Sequence, residues 1–231
     1  MRKFYDRQAE LAELAKIEEQ SRESACFTVL MGRRRVGKTE LLKQFAGGRK
    51  VVYLFTSRNS EGMLCSQWQK ALEAELGIKV FGSITNLADL FRQIMDLSRT
   101  EHFTVIIDEF QDINSINSAF FSQMQDIWDS CRESSKINLI VCGSVYSLMT
   151  KIFEGQKEPL FGRCTNKLNI GPFKPSVLKQ ILQDYNPGYT NEDLLCLYMF
   201  SGGVAKYVSL LMDAGAVTKK DMFDYVFGIT S

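Results

Sequence analysis

Residues 32–39 set two glycines, a lysine and a threonine at the spacing Gly32-x-x-x-x-Gly37-Lys38-Thr39. Glycine makes up roughly 7% of average chains, so the pattern arises by chance in about one chain in a hundred of this length. Residue types in this order can cradle phosphate. Backbone N–H groups along Arg33, Arg34, Arg35, Val36, Gly37, Lys38 and Thr39 would wrap the anion, with the positive end of a helix opening near Glu40 beneath it. Lys38 would reach terminal phosphates and the Thr39 hydroxyl would bind Mg²⁺.

A second group, "VIIDEF", ends an apolar run in two carboxylates. At the C-terminal tip of a parallel strand a carboxylate faces the crevice where open α/β sheets bind ligands. Asp108 there can hold Mg²⁺ through its water shell, and Glu109 can orient or deprotonate an attacking water. Alone, such a strand end is ordinary solvated surface; beside the glycine loop it reads as chemistry. A third strand, "INLIVCGS", presents Ser144 or Asn138 as a candidate sensor of the terminal phosphate, with Gly-Ser turn chemistry as the alternative. In "EPLFGR", Arg163 precedes a further strand, where a guanidinium could stabilise transition-state charge in its own subunit or a neighbour's.

These groups need elements to position them. "CFTVLM" (Cys26 to Met31) is a continuous apolar run before the glycine loop, and "KTELLKQFA" after it has helical period. The loop therefore lies between a buried strand and a helix. "VVYLF" (Val51 to Phe55), Phe103 to Phe110, Ile137 to Ser144 and Thr165 to Phe173 read as four more strands. Helical patterns fall before the first strand (Arg7 to Gln20), twice between Val51–Phe55 and Phe103, and over "NSAFFSQMQDIWDSCRES". Alternation of this kind predicts a parallel sheet covered on both faces. After Pro175 only helical patterns follow, so the expected division is a core over 1–173 and a helical module over 174–231.

The 231 residues, 45% hydrophobic, suffice for a real core. Lys plus Arg total 28 against 27 for Asp plus Glu, so no overall field marks the chain for nucleic acid. The run Arg33 to Arg35 reads as a solvated or partner-facing stretch rather than a nucleic-acid patch. Six cysteines show no zinc-ligand spacing and one histidine, His102, has no ligand neighbours in sequence, so reduced thiols and an ordinary surface histidine are expected. Trp68 and Trp128 fall on apolar helix faces and read as core. No apolar run approaches the ~18 residues of a membrane span, and the amino terminus has no apolar signal core. A cytoplasmic protein without membrane contact is the expectation.

Taken together these motifs resemble the archaeal-type and bacterial ATPases grouped with the signal-transduction (STAND) NTPases, relatives of the AAA+ proteins. The matching residues, in order, are "FYDRQAEL", "GRRRVGKTELL", "IIDEF", "PLFGR" and "SGGVAKYV". The resemblance implies a five-stranded P-loop core of order 5-1-4-3-2 and a helical lid over the nucleotide. It also implies Phe4, Arg7 and Glu10 near the adenine side, Glu109 as the activating carboxylate and Arg163 as a nucleotide-responsive arginine. Where the family carries proline, this chain has Ala205, which places the lid contact in question. Many relatives continue into a winged helix or a nuclease-like domain, so an excised module or an effector outside this chain is expected.

The function expected is Mg²⁺-dependent binding and slow hydrolysis of ATP to ADP in a molecular switch, with ATP and an effector protein as partners. A small-molecule kinase and an ATPase subunit of a DNA-associated motor or loader stand as alternatives, and an oligomer is compatible with either. Glu109 beside Asp108 favours water activation over transfer to an acceptor.

Overall fold

The computed structural model describes residues 3–79 and 82–228, which pack as two compact units. Within the described residues, the larger unit takes Ala9–Gly32 and Thr39–Asn169. The smaller takes the residues up to Gln8, Arg33–Lys38 and the residues from Ile170 onward.

The larger unit begins in helix α1 (Gln8–Ser21), which buries Leu14 and Ile17. There follow β1 (Cys26–Met31), α2 (Lys38–Ala46), β2 (Val51–Phe55), α3 (Glu61–Leu76), α4 (Leu87–Leu97) and β3 (Phe103–Asp108). Then come α5 (Ile113–Ile116), α6 (Phe120–Cys131), β4 (Ile137–Gly143), α7 (Tyr146–Glu154) and β5 (Asn166–Asn169). The sheet order is β2-β3-β4-β1-β5 with every pairing parallel, the order the resemblance implied. Strands β1, β3 and β4 are buried at every residue, which is why their sequences are unbroken apolar runs rather than alternating ones. Met31 pairs with Gly143 and Asn169, and Phe55 with Asp108, so the strands end level along one edge.

Several details differ from the sequence expectation. Strand β3 stops at Asp108 rather than Phe110 because Glu109 turns into the left-handed region, φ 53°. Strand β5 is four residues long; Gly171-Pro172 follows soon after, and proline cannot donate to a ladder. Helix α7 was not expected: Val145 supplies no side-chain cap, and the only signal is Met149, Ile152 and Phe153, buried at i, i+3 and i+4 spacing. Phe153 packs edge-on against Phe27 at 5.7 Å, and Phe27 meets Trp128 at 5.1 Å. Trp68 and Trp128 are core, as expected.

The smaller unit contains α8 (Pro175–Tyr185), α9 (Asn191–Ser201), α10 (Ala205–Asp213) and α11 (Lys219–Phe227). Tyr5, Phe173, Leu178, Leu197, Val208 and Met222 share its core, which binds the amino-terminal residues to helices far along the chain. Capping boxes start α9 (Thr190 with Asp193) and α11 (Thr218 with Asp221). Asp193 also accepts from the Lys219 N–H, fastening one helix start to the other. Burial of Asp193 works to raise its pKa, but the N–H donors of Thr190 and Lys219 and the Thr190 hydroxyl outweigh it and hold the carboxyl below its ordinary value. Gly202 ends α9 in the left-handed conformation. A Cβ on Gly203 would lie 2.3 Å from the Phe173 carbonyl oxygen, so the Gly-Gly pair serves two separate backbone needs.

No helix among the described residues is long and apolar enough to cross a membrane. None of the six cysteines is joined in a disulfide.

Candidate functional site

In the larger unit the chemistry gathers at the level ends of β2, β3 and β4. Phe110 is fully buried, packed between Phe121 (5.3 Å) and Phe153 (5.7 Å). Driving that ring into the core while β3 ends above it leaves Glu109 to make the bend, at φ 53° and ψ 42°. A non-glycine residue there costs of order 1 kcal/mol and persists where the surroundings over-determine it. The bend brings the Glu109 N–H onto its neighbour, donating to Asp108 Oδ1 at 2.9 Å.

Asp108 is 5% exposed and accepts two further hydrogen bonds on Oδ2, from the Thr39 hydroxyl at 3.3 Å and from the Tyr53 phenol. Burial first, then the Asp108 carboxylate, push the Tyr53 phenol far above its ordinary range, so it stays a donor. Glu109 is held in turn: its Oε2 accepts from Ser144 Oγ at 2.7 Å and from Gln111 Nε2 at 2.7 Å. Thr39, Asp108, Glu109 and Ser144, proposed from sequence, thus form one connected hydrogen-bond chain. Tyr53 and Gln111 join it without having been expected. Tyr53 was hidden because "VVYLF" reads as a buried apolar strand, in which a tyrosine counts for its ring rather than its hydroxyl.

In the smaller unit the glycine loop is shaped by its own partners. Gly37 has φ 100° and Arg35 φ 70°. Lys38 is buried and donates to the Arg33 carbonyl at 3.1 Å. The N–H of Lys206, second residue of α10, donates to the Arg35 carbonyl at 3.1 Å, so a helix start that has no intrahelical partner binds the loop. The Arg35 guanidinium donates to the Tyr207 hydroxyl at 3.2 Å. Buried Arg7 donates to the carbonyls of Val36 (3.4 Å) and Gly171 (2.5 Å) and lies over the Phe173 ring. Arg7 is therefore a brace for the loop backbone. Ala205 packs opposite Gly37, 3.6 Å from where a Cβ there would stand. Arg33, Arg34 and Arg35 are exposed, Val36 is buried and Phe4 half-buried.

Other candidates go elsewhere. Arg163 pairs with Asp129 of α6 at 3.0 Å and donates to the Phe161 carbonyl. Glu40 is exposed on α2. Asn138 lies at the opening of β4, at the far end from Ser144, and its amide donates to Thr104 in the core. His102 is half-buried rather than free at the surface, sharing a hydrogen bond with Ser21 at 2.8 Å; burial and then Arg22 lower its pKa.

The donor set suits a hard cation. Thr39 gives its proton to Asp108 and keeps oxygen lone pairs for a metal, and no cluster of three or more His, Cys, Asp or Glu side chains competes among the described residues. One hydroxyl and one carboxylate, with water and phosphate oxygens completing the shell, is the manner in which Mg²⁺ is bound.

Comparisons with known proteins place the chain among ATPase domains. The chain is 30% identical over 206 residues to an uncharacterised protein of Methanocaldococcus jannaschii, a match covering 89% of this chain and 43% of that one; the chain thus spans less than half the length of that relative. Among solved structures it is similar to a Walker-type ATPase of Pyrococcus abyssi (TM-score 0.69, 19% identity, 98% of this chain and 73% of that one). It is also similar to the ORC2 protein of Aeropyrum pernix in its ADPNP and ADP complexes (TM-score 0.67, 16% identity, 98% and 68%). A STAND protein of Pyrococcus horikoshii with a tetratricopeptide repeat sensor shares the fold as well (TM-score 0.64, 16% identity, 100% and 33%). The profile of the family described as an ATPase domain predominantly from Archaea matches residues 4–211, and with nearly the whole chain covered, the protein belongs to that family of P-loop ATPase domains.

Proposed function

We propose that the chain binds Mg²⁺–ATP and hydrolyses it slowly, as a nucleotide-driven switch. The observation that carries the reading is the connected set Thr39, Asp108, Glu109 and Ser144, in which one carboxylate pairs with the cation-binding hydroxyl and the next is held by a strand-tip serine. In this reading Lys38 and the loop N–H groups bind the phosphates, and Thr39 and Asp108 hold the cation. Bound Mg²⁺ offsets the charge of the β- and γ-phosphates. Glu109 accepts a proton from the attacking water, and Ser144 sets the direction of its carboxylate. Arg163 would serve only after leaving Asp129, so its role depends on an event that breaks that pair.

The switch is read from the loop's second set of partners. Arg35 and Gly37 touch α10 through Lys206, Tyr207 and Ala205. A change in the loop on exchange of ATP for ADP would pass to that helix and on to an effector protein or a further domain. Two donors hold the Glu109 carboxylate and must give way before it can take up a water, which fits slow turnover.

The test is phosphate release from Mg²⁺–ATP by the purified chain beside Glu109→Gln. The expected result is slow turnover that the substitution lowers about a hundredfold or more, with ATP affinity within a few-fold of the parent. Turnover equal in the two proteins would remove Glu109 from the role. No turnover in either, with transfer to an added acceptor, would replace the switch by a kinase.

A further inference from the structure

Asp108 in the described structure has more donors than a cation-binding carboxylate needs. An ionised carboxylate offers about four acceptor positions, two on each oxygen. Oδ2 takes both the Thr39 hydroxyl and the Tyr53 phenol, and Oδ1 takes the Glu109 N–H. One position remains, and it lies on Oδ1.

We propose that Tyr53 is a positioning residue for the cation site: by filling the second position on Oδ2 it locks the Asp108 carboxylate so that only Oδ1 faces the water shell of Mg²⁺. The inference rests on the Mg²⁺–nucleotide reading above. Tyr53 reaches Asp108 from the neighbouring strand: β2 pairs with β3 in a register that sets Phe55 beside Asp108 and Tyr53 beside Ile106. Two residues further down the strand, only a side chain as long as tyrosine can return its polar end to the carboxylate. The ring is half-buried, so the hydroxyl is delivered by packing rather than by a flexible arm. Remove that hydroxyl, and Oδ2 of a 5% exposed carboxylate is left with an unfilled position, so that the carboxylate plane can swing about the Cβ–Cγ bond away from the fixed orientation. The cation would then meet a carboxylate that must be reordered before it can bind, and partners of this kind around metal ligands strongly affect metal affinity.

Tyr53→Phe keeps the ring and removes only the hydroxyl. Binding of a fluorescent ATP analogue would be measured as Mg²⁺ is added to the parent and to the variant, with a parallel measurement of each in EDTA. The expected result is a half-saturating Mg²⁺ concentration raised about tenfold in the variant, with equal affinities of the two proteins in EDTA. A Mg²⁺ curve that superimposes on the parent's overturns the inference. An equal loss of affinity with and without Mg²⁺ also overturns it, since that assigns Tyr53 to packing alone. A parent whose analogue binding ignores Mg²⁺ overturns the functional reading and this inference together, which separates that failure from the first two.

Discussion

A methyl group on residue 143 would have nowhere to go: the Cβ would stand 2.4 Å from Met149 Sδ and 2.5 Å from Gln111 Oε1. Gly143 ends β4 just before Ser144, and the space it leaves is what admits Gln111 to the Glu109 carboxylate. Gly143→Ala is therefore expected to lower stability by about 1–3 kcal/mol through overpacking and to disturb the hold on Glu109. Chemical denaturation with a phosphate-release assay checks both effects, and a variant with unchanged stability would show that Met149 yields freely. At this scale the candidate site residues were legible because residue type and spacing suggest their chemistry: Lys38, Thr39, Asp108, Glu109 and Ser144 could be named as candidates before any fold was known. Tyr53 could not, since its carboxylate partner lies 55 residues away in sequence, nor could Gln111 and Gly143, whose roles depend on the bend at Glu109 and on the fit of Gly143 against Gln111 and Met149.

Among elements, helix starts do much of the work around the glycine loop. Val204 precedes α10 in extended conformation (φ −68°, ψ 118°), and Ala205 is its first residue. That geometry accepts proline: the preceding residue is already extended and the first helical N–H has no intrahelical partner. Ala205→Pro, which restores the residue usual in the resembled family, is expected to raise stability by about 0.4–1 kcal/mol by restricting the unfolded chain, and to preserve the Lys206 N–H bond to Arg35. Thermal melts check the first effect and nucleotide titration the second; a lowered melting temperature would mean that the ring collides with the loop at Gly37. Strands β1, β3 and β4 were readable because burial on both faces leaves a nearly unbroken apolar signature. Helix α7 was not, because its start is uncapped and its apolar face is only three residues long.

For the molecule as a whole, thiol chemistry tests where the cores lie. Cys26, Cys65, Cys131, Cys142 and Cys196 are buried, and Cys164 is half-exposed. Burial pushes the Cys65 thiol up to about 12, and it raises Cys26 and Cys164 as well. A thiol-disulfide reagent should accordingly find only Cys164 in a fast phase, more rapidly as pH rises toward its elevated pKa, and reach the other five after unfolding. Several fast thiols in the native protein would contradict these cores. Composition and periodicity by themselves determined a parallel α/β sheet, its strand succession and the position of the glycine loop between strand and helix, because apolar runs and glycine spacing are local properties of a chain. Tertiary structure alone decided that Tyr53 meets Asp108, that Gln111 and Ser144 share Glu109, that Arg163 pairs with Asp129, and that Arg7 braces the loop. Those pairings depend on strand register, on a left-handed bend forced by the burial of Phe110, and on packing between residues far apart in sequence, none of which a local pattern encodes.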